Sequence, residues 1–514
     1  MSSILTNTGS MIALQTMRSI NTGLAKTQSE ISTGKSVASA KDNAATWAIS
    51  KTMESDVKGF RGISESLSLG QSTIAVGRQA AETVTNLLTE IKGKVVAAQE
   101  ENVDRSKIQT DIVQLRNQIE SVVNAAQFNG LNIVKGTDSV NVLSSLDRDS
   151  AGNVTASQIR VDRRDLTTDA GVYGAGDSLN ANAVASDTTA GALSNQGNTA
   201  EITLAAAGDY STGTATFTVA GVQFSFAAGE LGSGDEDVAA GIVAGQVNAL
   251  GIDGITAEAT GSGVIEITSA RGFEGVNVQI NAAGGAATGA AITEVNGAAP
   301  TGDNTATNST IEERSQSVTF SNGAAVKDGD GYRVSFGGED FTYVAGPGQT
   351  FEDVARGLKA AIDARGMEGI TTQVTQDTGG SWQLKIDNDS TTAMTLASIG
   401  NEDGVASGGL FGLDGIDVSS REGAAAALSN VESLINRAID ASASFGSVQS
   451  RIEIQAEFVN KLTDALTAGI GTLVDADMEA ASARLQALQV QQQLGIQALS
   501  IANQAPQNIL ALFR

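Results

Sequence analysis

The sequence predicts an α+β protein in which long, coiled-coil-like helices from both chain ends frame an outer insert of two β-β-α-β-β modules. Three observations carry this expectation. Residues 1–136 and 421–514 are nearly free of Pro and place apolar residues at alternating steps of three and four, the spacing of helices that pack along a seam. The stretch between them is rich in Gly and Thr, with short alternating runs bounded by turn residues. That middle also holds the acidity, with 37 Asp and Glu against 12 Lys and Arg, or −25 of the net charge of −26.

The first element is an amphipathic helix carrying Ile4, Leu5, Met11, Ile12, Leu14, Met17, Ile20, Leu24 and Ile31. It is too weakly apolar to hold a firm core alone, so order is expected only on association. Ser39 and Asp42 then read as a capping pair for a long helix. Its ladder runs Ile49, Met53, Asp56, Phe60, Ile63, Leu67, Gly70, Ile74, Gly77, Ala81, Val84, Leu88, Ile91, Val95 and Ala98. At the helical rise this is a rod of about 75 Å. Polar residues at 100–104 break it, and a second ladder, Ile108, Ile112, Leu115, Ile119, Val122 and Ala126, fits an antiparallel return.

The middle contains an internal repeat. Residues 216–226 align with 333–343 as strand, Gly turn and strand. Residues 236–242 align with 352–358 as a helix start, and 254–256 with 369–371, before closing strands at 264–268 and 381–386. Each copy reads as β-β-α-β-β, over about 200–282 and about 315–400. Residues 281–310, rich in Gly, Ala and Thr, read as a linker or loosely packed loop.

The C-terminal region supplies a partner seam from Leu428 through Val431, Ile435, Ala438, Phe445, Ile452, Val459, Leu466 and Ile470 to Leu473. Beyond Asp477 a last helix carries two stripes, one of Leu485, Leu488, Leu499 and Ala502 and one of Ala487, Val490, Leu494 and Ile501. Gln492, Gly495 and Gln497 interrupt them. Two stripes call for two neighbours. Pro506 should stop this helix and leave Ile509, Leu510, Leu512 and Phe513 as an apolar tail.

Composition excludes much chemistry. With no Cys and no His, the chain has no thiol nucleophile, disulfide, histidine base or ordinary zinc site. No apolar run approaches the ~20 residues of a membrane span, and residues 1–20 lack the basic and apolar regions of a cleaved signal peptide. The acidic middle argues against nucleic acid and anionic membranes. Asp147, Asp149 and Gly152 open like a calcium loop, but Ala151 and Gln158 stand where ligands belong, so a hairpin turn is expected. Asp328-Gly-Asp330-Gly331 is likewise read as a turn. Ser32-Thr-Gly-Lys35 matches a Ser-x-x-Lys pattern without the other elements of serine acyl transferases. No enzyme, metal or cofactor is expected.

Three motifs then carry a resemblance. Ile31-Ser-Thr-Gly-Lys-Ser-Val-Ala-Ser-Ala-Lys-Asp-Asn-Ala-Ala45, Gln127-Phe-Asn-Gly130 and Ala502-Asn-Gln-Ala-Pro-Gln-Asn-Ile-Leu-Ala-Leu-Phe-Arg514 resemble the terminal signatures of bacterial flagellin. The resemblance implies that 1–43 with 475–514 form the inner tube of a helical filament. It implies a rod domain with a small β-region from 44–165 with 405–474, and an exposed variable insert at 166–404 resembling insert modules of some flagellins. It implies a homopolymer packed through Ile4, Leu5, Leu14, Met17, Leu24, Ile31, Leu485, Leu488, Leu494, Leu499, Ile501, Ile509, Leu510, Leu512 and Phe513. Further implied partners are an export chaperone at the C-terminal helix, the flagellar secretion apparatus, and hook-junction and cap proteins at the filament ends. Location would be extracellular, after export without signal-peptide cleavage. Other readings are a hook-filament junction protein, and a secreted adhesin whose acidic insert binds a ligand.

The family also implies a site on the long helix for the Toll-like flagellin receptor of animals, reading Gln-Arg-Val-Arg-Glu-Leu-Ala-Val in detected flagellins. Here the stretch is Thr89, Glu90, Ile91, Lys92, Gly93, Lys94, Val95 and Val96, with an acid for the first Arg and a cation for the Leu. Receptor evasion is expected, while Glu90 and Lys94 also fit an i,i+4 ion pair.

Overall fold

A computed structural model of the chain describes residues 7–148, 153–179, 191–205, 214–232, 234–283, 290–320, 323 and 325–512, without the side chains of 282–283 and 505–512. It divides into two compact units, one of residues 1–74, 140–161 and 447–514, the other of 75–139 and 162–446.

Helix α1 (Thr8–Thr33) starts where Asn7 Oδ1 accepts from the Ser10 N–H at 3.0 Å and ends at Gly34, whose φ of +70° any side chain would resist. Helix α2 (Ala44–Ala98) is capped by Asn43, whose Oδ1 accepts from the Thr46 N–H at 3.2 Å. The Ser39 and Asp42 pair instead closes the preceding turn. Asp42 Oδ2 accepts from the Ala38 N–H, the Ser39 N–H and the Ser39 hydroxyl at 3.2, 2.9 and 3.0 Å, so this side chain bonds back to the turn while Asn43 caps the helix. Those Ser39 donors hold the Asp42 carboxyl below its ordinary value.

Along α2 the ladder is buried from Ile63 to Ala98, whereas Ile49 is 55% exposed. Its two glycines have a steric reason. A Cβ at Gly70 would stand 2.7 Å from Val142, and one at Gly77 would collide with Ile133. The α2 end is satisfied by Arg105, which donates from Nε to the Ala98 carbonyl at 2.7 Å and from Nη2 to that of Glu100 at 2.8 Å. Arg105 opens α3 (Arg105–Ala125), with Ile112, Ile119 and Val123 buried. Strands β1 (Gln127–Phe128) and β2 (Leu131–Asn132) flank a tight turn in which Asn129 and Gly130 both have positive φ. Strands β3 (Ser139–Arg148) and β4 (Val154–Asp162) pair as a two-stranded sheet.

The middle is rich in β-structure. After β5 (Gly191–Leu193) come β6 (Asn198–Thr203), the strand pair β7 (Thr214–Val219) and β8 (Val222–Phe226), α4 (Glu236–Ala249), the pair β9 (Ile255–Gly261) and β10 (Val264–Ser269), and β11 (Val276–Ala283). Strands β12 (Ala291–Val295) and β13 (Asn308–Ile311) follow. The order repeats as β14 (Gln316–Thr319), β15 (Gly331–Phe336) with β16 (Glu339–Val344), α5 (Phe351–Asp363), β17 (Ile370–Gln376) with β18 (Trp382–Asn388), and β19 (Met394–Asn401). In both copies the pair before the helix takes the closing strand as neighbour, β11 beside β7 and β19 beside β15. The pair after the helix takes the opening strand, β6 beside β10 and β14 beside β18. Each copy has its own apolar core, the first around Phe217, stacked on Phe224, and the second around Tyr332, Phe351 and Leu358.

One expectation fails here, and one strand pairing goes beyond what the repeat implies. Residues 281–310 are not merely a linker, because β12 pairs with β6 and β13 with β11, burying Ile292, Val295 and Ile311. A Gly- and Ala-rich composition concealed those few apolar anchors. The copies are also not simply consecutive, since β5, which precedes the first, pairs with β19 of the second. At their joint Arg314, 5% exposed, donates from Nε and Nη2 to the two carboxylate oxygens of Asp387 at 2.8 and 2.9 Å, and from Nη1 to Asp389 at 2.9 Å. Its backbone N–H bonds the Arg271 carbonyl at 3.0 Å.

The chain closes with α6 (Arg421–Val474) and α7 (Met478–Leu512). Phe445, Ile452 and Val459 of the expected α6 seam are buried, but at its end Val474 is buried and Leu473 exposed. Among the described residues no helix is long and apolar enough to cross a membrane.

Candidate functional site

Helices α1 and α7 lie antiparallel. Asn7 Nδ2 donates to the Ala502 carbonyl at 2.8 Å, Ser10 Oγ to Asn503 Oδ1 at 2.8 Å, and Gln492 Nε2 to Asn21 Oδ1 at 2.7 Å. At the other end the Ser36 N–H bonds the Val474 carbonyl at 2.7 Å and the Ala476 N–H bonds that of Gly34 at 3.0 Å. The two helices thus pair with each other within one chain. Polar bonds at both ends and a narrow seam join them.

That seam follows a spacing the apolar reading missed. Among the described side chains of α7, Leu485, Leu488, Gln492, Gly495, Leu499 and Ala502 are the half-buried positions, at strict steps of three and four. Gln492 and Gly495 are therefore seam residues, not interruptions. Gln492 bonds Asn21, and Gly495 admits Met17, whose Cε would lie 3.0 Å from a Cβ there. On α1 the matching row is Ser10, Ala13, Met17, Ile20, Leu24, Thr27 and Ile31. Only Thr27 and Ala481 are buried among the described side chains of the two helices.

The second α7 stripe remains uncovered. Leu494 is 58% and Ile501 69% exposed, with Val490 and Ile496 alike, and on α1 Met11, Ile12 and Leu14 are exposed. Of the expected packing residues, Met17, Leu24, Ile31, Leu485, Leu488 and Leu499 therefore serve the seam, while Leu14, Leu494 and Ile501 face outward. Ile4, Leu5 and Phe513 lie outside the described residues, as do the side chains of Ile509, Leu510 and Leu512. Helix α7 continues through Pro506 to Leu512, so the expected stop at this proline does not occur. Outward stripes of this kind bury apolar area only when a further surface arrives.

On α2, Thr89 and Glu90 are exposed, but Ile91 is fully buried, so its side chain is unavailable to any partner. Lys92 pairs with Glu432 at 2.5 Å. Lys94 bonds Asp111 of α3 at 2.5 Å, in place of the expected ion pair with Glu90, because the neighbouring helix offers the nearer carboxylate. That contact raises the Lys94 ammonium above its ordinary value.

The remaining motifs are structural. Lys35 of the Ser-x-x-Lys pattern lies 3.8 Å from Glu54. Asp147 accepts from the Ser145 and Ser157 hydroxyls at 3.2 and 2.9 Å, while 149–152 lie outside the described residues. Asp330 is buried and accepts from the Lys327 N–H at 2.8 Å as part of a turn.

Two family profiles match the chain, the bacterial flagellin N-terminal helical region over residues 4–139 and the bacterial flagellin C-terminal helical region over 428–513. Flagellin A of Rhizobium meliloti is 31% identical over 525 aligned positions, covering 100% of both chains. Flagellin FljK of Caulobacter vibrioides is 38% identical over 172 residues, covering 33% of this chain and 63% of its own. The solved flagellar hook associated protein-3 of Legionella pneumophila aligns over 82% of this chain and 98% of its own at 10% identity, with a TM-score of 0.33.

Proposed function

The chain belongs to the bacterial flagellins, a structural subunit of the extracellular flagellar filament and not an enzyme, and from that premise we propose how its surfaces divide the work of assembly. The reading rests on one observation: α7 has two apolar stripes, and α1 covers only one. Residues 1–43 with 475–514 form the inner tube. Residues 44–165 with 405–474 form the rod around it, with coiled-coil packing along the ladders, and 166–404 is the solvent-facing insert of two modules, each the expected β-β-α-β-β unit extended by an opening and a closing strand. The uncovered stripe, with Met11, Ile12, Leu14, Val490, Leu494 and Ile501, packs against neighbouring copies. A subunit whose outward stripe finds a partner only at a growing tip remains soluble until it arrives there. A heterologous contact whose rotation does not close gives an open helix.

Before assembly, an export chaperone holds α7 and the tail and covers the same apolar side chains, and the secretion apparatus carries the chain out without cleaving a signal peptide. Hook-junction and cap proteins meet the terminal helices at the two filament ends. Glu90 and Lys94, with Ile91 turned inward, leave little for the animal receptor to grip. An exposed acid and a cation where an Arg and a Leu belong each cost on the order of 2 kcal/mol at such an interface. A strong reporter-cell response at nanomolar protein would sink that part.

Seeded polymerisation tests the division. Removing residues 509–514 should weaken assembly. Excising 195–313, which joins β5 directly to β14, should leave it largely intact. Loss of filaments from the excision alone would show that the first module, not the helices, carries assembly.

A further inference from the structure

The second unit contains a cleft of about 140 Å³ at the turn that leads into α5, lined among others by Arg163, Arg164, Gln349, Asp440 and Arg437. A water needs only ~15 Å³ on such a measure, so the cleft admits a group of several heavy atoms. Its electrostatics are unusual for so acidic a chain. Arg437 is committed, donating from Nη1 to the Gly409 carbonyl and from Nη2 to that of Asp353, both at 3.2 Å, with the Asp353 carboxylate 3.7 Å from its Nε.

Arg163 and Arg164 are not so committed. The Arg163 Nε is buried without a hydrogen-bond partner, and its Nη1 reaches only the Lys135 carbonyl at 3.5 Å. Arg164 donates from Nε to the Ser444 hydroxyl at 3.4 Å, and its Nη1 lies against the turn, 4.0 Å from where a Cβ on Gly348 would stand. Neither arginine makes an ion pair among the described residues, although acids outnumber bases by 26 in the sequence. Gln349 is anchored through Oε1, which accepts from the Tyr343 hydroxyl at 2.8 Å and the Gly346 N–H at 3.0 Å, so its amide donors remain available beside them. Of the lining acids, Asp353 faces Arg437 and Asp165 accepts from the Thr167 N–H at 2.8 Å, while neither Asp165 nor Asp440 forms an ion pair with Arg163 or Arg164 among the described residues.

We propose that this cleft is a binding site for a small oxyanion, gripped by Arg163 and Arg164 and oriented by Gln349. Planar guanidinium groups bind the oxygens of phosphate or carboxylate through paired, charge-assisted bonds. The oxyanion has two sources, a free ion or an acidic side chain of a second copy. The test uses inorganic phosphate with full-length protein, followed by calorimetry. Monomer should bind about one equivalent saturably. Arg164→Gln and Arg163→Gln should weaken binding by about tenfold or more, and Asp440→Asn should tighten it. Arg365→Gln, which alters an exposed arginine elsewhere, should change nothing. Circular dichroism and thermal melts confirm that each variant folds. If the ion is free, assembled filaments bind phosphate as the monomer does. If a second copy supplies the carboxylate, phosphate binds the monomer but not the filament. No saturable binding by folded monomer, or binding equal in Arg164→Gln and wild type, overturns the proposal. That failure is separate from any failure of assembly, because the monomer titration needs no filament.

Discussion

The terminal helix pair and the modules of the insert use apolar residues in opposite ways. In the insert, Phe217, Tyr332, Phe336, Tyr343 and Phe351 sit in two buried cores, the first built from its own strands and helix and the second completed by Leu193 of β5. Among the described side chains of α1 and α7 the large apolar residues are half-buried or exposed, and the buried positions are Thr27 and Ala481. The insert is finished as a folded object, whereas the helix pair is aligned but unfinished. A subunit that must remain soluble and then polymerise needs this arrangement, because burial completed within the monomer is not available to drive association.

The largest expected effect that would sharpen this contrast is in the insert core. Phe217→Ala should cost the first module about 3–5 kcal/mol in urea unfolding, while seeded filament growth is unaffected where the module remains folded. Equal loss in both measurements would erase the distinction. At the module joint, Arg314→Met should cost about 3–5 kcal/mol by leaving Asp387 buried and unpaired. Adding Asp387→Leu should recover much of that loss, since an apolar pair of similar volume is tolerated. A double variant no better than the single one would mean the pair stabilises the joint beyond its own desolvation.

The terminal helices should behave in reverse. Leu494→Ser with Ile501→Ser alters exposed positions, so monomer stability should stay within about 0.5 kcal/mol per site, yet the critical concentration for assembly should rise several-fold. Unfolding of the monomer by this pair would show the outward stripe to be a folding core.

The smallest effect concerns a row of like charges on the first module. Glu294, Glu201, Glu266 and Glu258 stand opposite one another across β12, β6, β10 and β9. Burial first, then Glu294 and Glu266, raise the Glu201 carboxyl above its ordinary value. Raised in the folded state, this acid contributes stability fully below its unfolded value near 4.5, and loses that contribution as pH rises through the folded value. Glu201→Gln should therefore stabilise the module at neutral pH by roughly 0.2–1 kcal/mol, with the gain shrinking toward pH 4.5 in thermal melts. A gain that grows on acidification would contradict the sign.

Local periodicity made much of this legible. The α2 and α6 ladders, and the repeated strand and helix order of the insert, were readable because each depends on residues close in sequence. The seam of α7 was half legible: its steps through Gln492 and Gly495 are regular, but neither residue is apolar, and what qualifies them is Asn21 and Met17 on a helix about 470 residues away. The Ser39 and Asp42 pair is ambiguous in sequence because the same donors and acceptors close a turn as well as cap a helix.

By itself, then, the sequence determined which segments at the two ends are helices, where the repeated strand and helix order lies, where charge is concentrated and which family the ends resemble. Only the tertiary structure decided that β5 joins β19 across an intervening module, that β12 and β13 are strands, and that Arg314 is enclosed with Asp387. It also decided which α7 stripe is covered and which is left open. The reason is physical: helix and strand periodicity are written in neighbouring residues, whereas strand pairing and charge burial depend on partners whose proximity exists only after the chain has folded.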